Sequence, residues 1–320
     1  MPCAAGIGRD GQVSVNPSSV MAATYPTQIT VPAVESSGIP DFGAQGYKAG
    51  LCVGSLLVEY ARSWYGMGST MDDRNISLAG KTALVTGAAR RLGRAMALAL
   101  AGQGARVAVH YNRSEGEAVT VCDEIRRAGG SAWAVQGDLA DASQVERVFR
   151  DAIAQGGRID ILINNASIFE PDTIWDVTEE SVLSNLRLHA LAPLALARAL
   201  AGQGSAGHIV NLLDTRVTMY DREHASYHIS KRVLLTLTRM LAIELAPKIV
   251  VNAIAPGLIL PPAGQDETYL QRLVYTNPMK CHGGPQDVVD AMLFLLGSRF
   301  ITGQILYVDG GYHMKGHMYD

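Results

Sequence analysis

From Lys81 onward the chain alternates between two periodicities. Short apolar runs rich in β-branched residues predict seven strands, at Thr82–Thr86, Arg106–His110, Ser131–Gln136, Ile159–Asn164, His208–Leu213, Ile249–Ile254 and Gln304–Val308. Segments with helical spacing lie between them: Arg94–Gly102, Glu115–Ala128, Gln144–Gln155, Glu179–Ala201, Ser226–Leu245 and Pro285–Leu296. The strands do not alternate apolar with polar, so both faces of their sheet are covered. Strand–helix alternation then implies parallel pairing. The expected fold class is α/β, a doubly wound sheet in one catalytic domain over residues 71–320, with no internal repeat.

Residues 1–70 differ in character. They hold three basic residues (Arg9, Lys48, Arg62) and four acidic ones (Asp10, Glu35, Asp41, Glu59), and only Leu51–Tyr65 has a helix-like spacing. Neither a secretory signal nor an Arg-rich, acid-free transit peptide is written there. Two readings stand: a poorly ordered N-terminal extension, or translation that begins at Met67 or Met71, just before the globular pattern.

Composition narrows the class. Of 320 residues, 48% are hydrophobic and 18% charged, with a formal net charge of −3. This apolar fraction supports a sizeable core, and the near-neutral balance leaves no electrostatic footprint for nucleic acid or an anionic membrane. Cys3, Cys52, Cys122 and Cys281 are widely spaced, which argues against a disulfide framework or a structural zinc site and for a reducing cytoplasm. No apolar run reaches the roughly eighteen residues of a membrane span. His313 and His317 lie four apart, but no further ligands accompany them, so no metal is expected.

Candidate chemistry begins where the first strand meets Gly87-Ala-Ala-Arg-Arg-Leu-Gly93 and a helix. Gly87 permits a sharp turn, and Gly93 lets the helix start close to a pyrophosphate, whose charge meets free N–H groups. The second strand ends His110-Tyr111-Asn112-Arg113-Ser114, with no carboxylate before Glu115. An NAD site usually places an acid there. Arg113 and Ser114, with His110, instead offer donors and positive charge for the 2′-phosphate of NADPH. Further on, Tyr227 and Lys231 stand four apart on one helix face. A neighbouring cation and an oxidised nicotinamide would lower the phenol toward neutrality and make it a proton donor.

Thr86-Gly87-x-x-x-x-x-Gly93, Asn164-Asn165-Ala166, Tyr227-x-x-x-Lys231 and Ala255-Pro256-Gly257 resemble the short-chain dehydrogenases/reductases over about Leu78 to Tyr312. That resemblance implies a seven-stranded Rossmann sheet and usually a homotetramer. It implies a cofactor site that takes in Leu92, Asp138 at the adenine, Leu139, Asn165 near the ribose, Ala166, Pro256 and Gly257. Lys231 would hold the nicotinamide ribose and Tyr227 would give the proton.

Three departures narrow the resemblance. Arg91 replaces the loop's usual middle glycine, Asp214 replaces the usual serine thirteen residues before the tyrosine, and Phe169 follows Asn165-Ala166-Ser167-Ile168. This set looks like the pteridine reductases, whose aromatic at the Phe169 position sandwiches a pterin against the nicotinamide. Ser167 and Arg91 would bond pterin or cofactor, Asp214, Tyr227 and Lys231 would form the catalytic triad, and Leu258 would wall the pocket under a covering loop, Leu258–Met279. On the residues alone, Phe169 is either that wall or a core aromatic, and Asp214 either a catalytic carboxylate or a turn cap. His189 stands where the subfamily often has asparagine, and the similar dihydromonapterin reductases have histidine there; it is either part of a water relay or a satisfied buried histidine. The reading is NADPH-dependent reduction of a dihydropterin (dihydromonapterin, dihydrobiopterin or dihydrofolate). A carbonyl reductase of 3-oxoacyl or sugar substrates is the first alternative, and a non-catalytic NADPH-sensing protein the second.

Overall fold

The computed structural model describes residues 76–220, 222–262 and 264–317; the expectations for residues 1–70 lie outside these. Seven parallel strands form one sheet in the order β3-β2-β1-β4-β5-β6-β7. They are β1 Thr82–Val85, β2 Arg106–Tyr111, β3 Ser131–Gln136, β4 Ile161–Asn164, β5 Gly207–Leu212, β6 Ile249–Pro256 and β7 Ile305–Val308. The helices are α1 Arg91–Gly102, α2 Glu115–Arg127, α3 Ala142–Gly156, α4 Glu179–Leu186, α5 Ala192–Gly202, α6 Ala225–Glu244, α7 Glu267–Gln271 and α8 Pro285–Leu296. The expected doubly wound architecture is present. Among the described residues, no helix is long and apolar enough to cross a membrane.

The apolar strands serve two cores. Ala83 and Val85 pack toward α1, α2 and α8, whose Met96, Leu100, Val121, Ile125 and Met292 are buried. Leu84, between them, points the other way, toward Phe149, Leu196 and Leu200 on α3 and α5. Each such fully buried leucine or valine contributes about 1.5–3 kcal/mol. The strand order reverses between β1 and β4, β1 pairing in parallel with β2 on one side and with β4 on the other. A crevice therefore opens beyond the carboxyl ends of these strands, where α/β sheets bind ligands.

One expected helix is broken. The apolar spacing predicts a continuous helix over Glu179–Ala201, but the chain forms α4, then a π-helical turn at Arg187–Leu191, then α5. Pro193 supplies the reason, because it has no N–H and its ring would collide with the carbonyl four residues back in a regular helix. The turn widens instead, and the N–H of Ala192 reaches the Arg187 carbonyl five residues away.

Packing at the end of α3 is close. A Cβ on Gly156 would lie 2.4 Å from the Trp133 ring and 2.8 Å from Thr82 Cγ2. Gly156→Ala should therefore lower stability by about 2 kcal/mol through overpacking, read as a lower urea midpoint at unchanged slope.

Candidate active site

The loop between β1 and α1 takes its shape from its neighbours. Gly87 stands at φ +61°, and a Cβ there would come within 2.9 Å of Ala166 Cα. A Cβ on Gly93 would meet the Gly87 carbonyl oxygen at 2.2 Å. Arg90 precedes α1 without a side-chain cap, and the first turn of α1 holds no acid. Free N–H groups at the positive end of α1 thus face the crevice, a cradle that fits a dinucleotide pyrophosphate. Arg91, where the family pattern has glycine, keeps a left-handed φ of 55°. Such a conformation costs a non-glycine residue about 1–3 kcal/mol. Its guanidinium donates to the Pro261 carbonyl at 2.7 Å, tying the phosphate loop to the start of the covering loop.

Asn165, expected near the ribose, spends its side-chain amide on the Thr86 and Gly87 carbonyls at 2.8 and 3.1 Å. The Thr86 hydroxyl accepts the N–H groups of Asn165 and Ala166 and donates to the Ile163 carbonyl. These bonds clasp the ends of β1 and β4 together.

His110 is corrected by the structure. Read from the sequence as a polar group for a 2′-phosphate, it is buried, and both ring nitrogens are committed. Nδ1 accepts the Gly87 N–H at 3.1 Å, so Nε2 carries the proton and donates to the Gly137 carbonyl at 3.1 Å. Burial lowers its pKa to about 4, against smaller upward contributions from the Gly137 bond and Asp138. His110 is a neutral strut beneath the phosphate loop, with no charge for a phosphate. Asn112 and Arg113 lie exposed just beyond it, and Arg113 forms no ion pair among the described residues. Tyr111 is half-buried at the strand end, and Ser114 precedes α2 without a side-chain cap bond. Asp138 accepts the Ala140 N–H, while the Leu139 side chain is buried in the core rather than open to a ligand. Leu92 is half-buried on α1.

The triad assembles at the ends of β5 and α6. Asp214 answers both readings of it: Oδ1 accepts the Arg216 N–H at 2.8 Å and caps a 3-10 turn at Thr215–Thr218, while Oδ2 accepts the Tyr227 hydroxyl at 3.2 Å. Lys231 is buried and donates to the Leu212 carbonyl at 2.7 Å, with Nζ 5.5 Å from the Tyr227 ring centre. Burial lowers this ammonium to about 8, partly offset by Asp214. The phenol moves opposite to the expectation. Burial, the charge of Asp214 and its hydrogen bond raise Tyr227 well above its usual value. Burial is the largest of these causes and Arg216 opposes them only in part, so Tyr227 holds its proton at neutral pH.

Phe169 is 43% exposed and stands edge-on to Tyr227, centroids 4.7 Å apart. It is a wall of the site and not a core aromatic. Its ring stacks on His224 at 3.7 Å and 10°. The sequence offered no sign of this partner, which sits at φ +59° just before α6. His189 is a satisfied buried histidine: Nε2 meets Ser167 Oγ and the Ile168 N–H, and Nδ1 meets Ser230 Oγ. Burial and the Lys231 cation lower its pKa well below the ordinary value.

A second unforeseen residue is Asp309, at the end of β7. Its carboxylate accepts the Thr215 hydroxyl, the His313 N–H and ring Nδ1, and the Gly311 N–H. Gly257 lies against it with no room for a Cβ, and the Gly257 N–H donates to the Val308 carbonyl. Pro256 ends β6 beside β7. Leu258 lines a cavity of about 430 Å³ with Ile259, Met279, Tyr307 and Asp309, and the described lining includes none of Asp214, Tyr227 and Lys231. The structure therefore does not bring Leu258 together with the triad in one cavity.

A family model described as enoyl-(acyl carrier protein) reductase matches residues 87–313. The chain is 33% identical to the 3-oxoacyl-[acyl-carrier-protein] reductase FabG of Staphylococcus aureus over 249 residues, 73% of this chain and 98% of that one. Its structure is similar to FolM alternative dihydrofolate reductase 1 of Brucella canis complexed with NADP, with a TM-score of 0.71, 33% identity, and coverage of 78% of this chain and 98% of that one. It is also similar to the angucycline C-6 ketoreductase LanV with bound NADP, with a TM-score of 0.70, 29% identity, and coverage of 74% and 97%.

The neutral strut makes stability depend on acid. An unfolded chain protonates His110 below about 6.5, whereas the folded chain does so only near 4. Its contribution is complete above about pH 6.5 and is lost as the pH falls from there through 4, by about 3 kcal/mol. Urea unfolding at pH 7.5 and pH 5 should show about 2 kcal/mol of this loss, and His110→Asn should show a smaller difference between the two.

Proposed function

The chain belongs to the short-chain dehydrogenase/reductase family, and within it we propose that this protein is an NADPH-dependent reductase of dihydropterins, forming the tetrahydro product. The observation that carries this reading is Asp214 Oδ2 facing the Tyr227 hydroxyl at 3.2 Å, beside the exposed Phe169 ring. Reduction of a ketone builds negative charge on oxygen, which a carboxylate beside the proton donor repels. Reduction of a pterin C=N bond is helped by protonation of the ring nitrogen, and a carboxylate stabilises that cation. The likeness to FolM, an alternative dihydrofolate reductase, supports the same reading.

The Gly87–Gly93 cradle would hold NADPH, with Arg113 and Ser114 for its 2′-phosphate, and the cofactor would supply the hydride. Phe169 offers a flat apolar face for the heterocycle. Ser167 and Arg91 bond its polar edge or the cofactor. Tyr227, which holds its proton at neutral pH, passes it to the ring nitrogen N5 with Asp214 as its partner. Lys231, held by the Leu212 carbonyl, supplies the cation that balances Asp214.

A second reading, a carbonyl reductase, is favoured by the likeness to FabG and to the ketoreductase LanV. NADPH oxidation followed by absorbance separates the two, with dihydromonapterin, dihydrobiopterin, dihydrofolate and an acetoacetyl thioester as substrates. Turnover of a dihydropterin, reduced about 10²–10⁴-fold in Tyr227→Phe and abolished in Asp214→Ser, is expected. Turnover of the thioester alone, increased in Asp214→Ser, would establish the second reading instead.

A further inference from the structure

His189 occupies the π turn between α4 and α5, and its ring joins three parts of the site. Nε2 accepts the Ile168 backbone N–H at 3.1 Å and so carries no proton. The ring's single proton therefore sits on Nδ1 and is donated to Ser230 Oγ at 2.8 Å. Ser230 in turn donates its own proton to the Tyr227 carbonyl at 2.7 Å. An imidazolium is ruled out by the same bond, because a proton on Nε2 would point at the Ile168 N–H. Burial and the Lys231 cation oppose it as well.

This tautomer has a consequence for Ser167. Its Oγ lies 2.9 Å from the unprotonated Nε2, and two lone pairs would repel at that distance. The Ser167 hydroxyl must therefore donate to His189. The other acceptor within reach of that proton, the Ile168 carbonyl at 3.3 Å, also belongs to the protein. In both cases the proton is used internally. Ser167, exposed two residues before Phe169, then presents only lone pairs outward.

The geometry points to His189 as a positioning residue that fixes the hydrogen-bond polarity of Ser167, making that hydroxyl an acceptor that selects substrates presenting an N–H beside Phe169. In naming the substrate's donor, the inference rests on the dihydropterin reading: a pterin carries an amino group and an N3–H on its edge. The reacting end of a 3-oxoacyl thioester offers only acceptors. His189 thus contributes to discrimination without touching the reacting atoms.

Two measurements test this. In ¹⁵N NMR of histidine-labelled protein, with the His189 signals assigned by their loss in His189→Asn, Nδ1 should be protonated and Nε2 bare from pH 6 to 8. A proton on Nε2, or a titration within that range, overturns the inference whatever the substrate. The second measurement compares kcat/KM for 7,8-dihydropterin with that for its N3-methyl and 2-oxo counterparts. The wild type should favour the parent over at least one counterpart by about tenfold or more. Ser167→Ala and His189→Asn should each reduce this preference to within about threefold, through KM more than kcat. Full preference retained in Ser167→Ala, an exposed change that leaves the core intact, overturns it too. If the thioester alone is turned over, the dihydropterin reading falls, and the His189 tautomer decides the polarity of Ser167 separately.

Discussion

The loop between β1 and α1 turns at Gly87, and the rest of the site depends on the polar groups that hold that turn from outside the loop. Two polar groups bond Gly87 directly, the Asn165 amide at its carbonyl and the His110 imidazole at its N–H, while the Thr86 hydroxyl holds the backbone of Asn165 and Ala166 beside it. Their further bonds go to the Ile163, Thr86 and Gly137 carbonyls. Because an unmatched polar group buried here would cost about 1–3 kcal/mol, the loop has one conformation in which all of them are satisfied. The ends of β1, β3 and β4 are thereby set relative to one another before any ligand arrives.

The substrate side is organised by a different device, the broken helix. In a regular helix from α4 into α5, Pro193 would meet a carbonyl in its path. The wide turn that avoids this places His189 where one ring contacts both the loop after β4 and the start of α6. Asp214 shows similar economy at the end of β5. One oxygen makes the backbone turn and the other faces the phenol, so the same carboxylate has a structural and a chemical partner. Burial, reinforced by that juxtaposition, also reverses the simple expectation for Tyr227.

Local spacing made much of this legible in the sequence. The strands were readable because they are uninterrupted apolar runs, and the loop and the Tyr227–Lys231 pair because their residues are neighbours along the chain. Strand parity also held information about His110: it shares a face with Ala108, which packs into the core, and only its polar character drew attention to the solvent side. Pro193 held a signal for the break that the apolar spacing of Glu179–Ala201 overrode, and nothing there showed the π geometry that resolves it. The stack of Phe169 on His224, and the convergence on Asp309, join segments about 55 and 94 residues apart. No spacing rule reaches that far, and only the sheet order brings those segments together.

Asp309 follows β6 and the Tyr227–Lys231 pair along the chain, yet it holds Thr215, the residue after Asp214, and is itself held by His313. The turn that aims the Asp214 carboxylate is therefore closed by residues synthesised after the other parts of the site. A nascent chain on the ribosome can form β1 to β6 and its cradle of glycines well before this bond exists. The fixed Asp214 turn thus comes after the nucleotide cradle, with the addition of the edge strand β7.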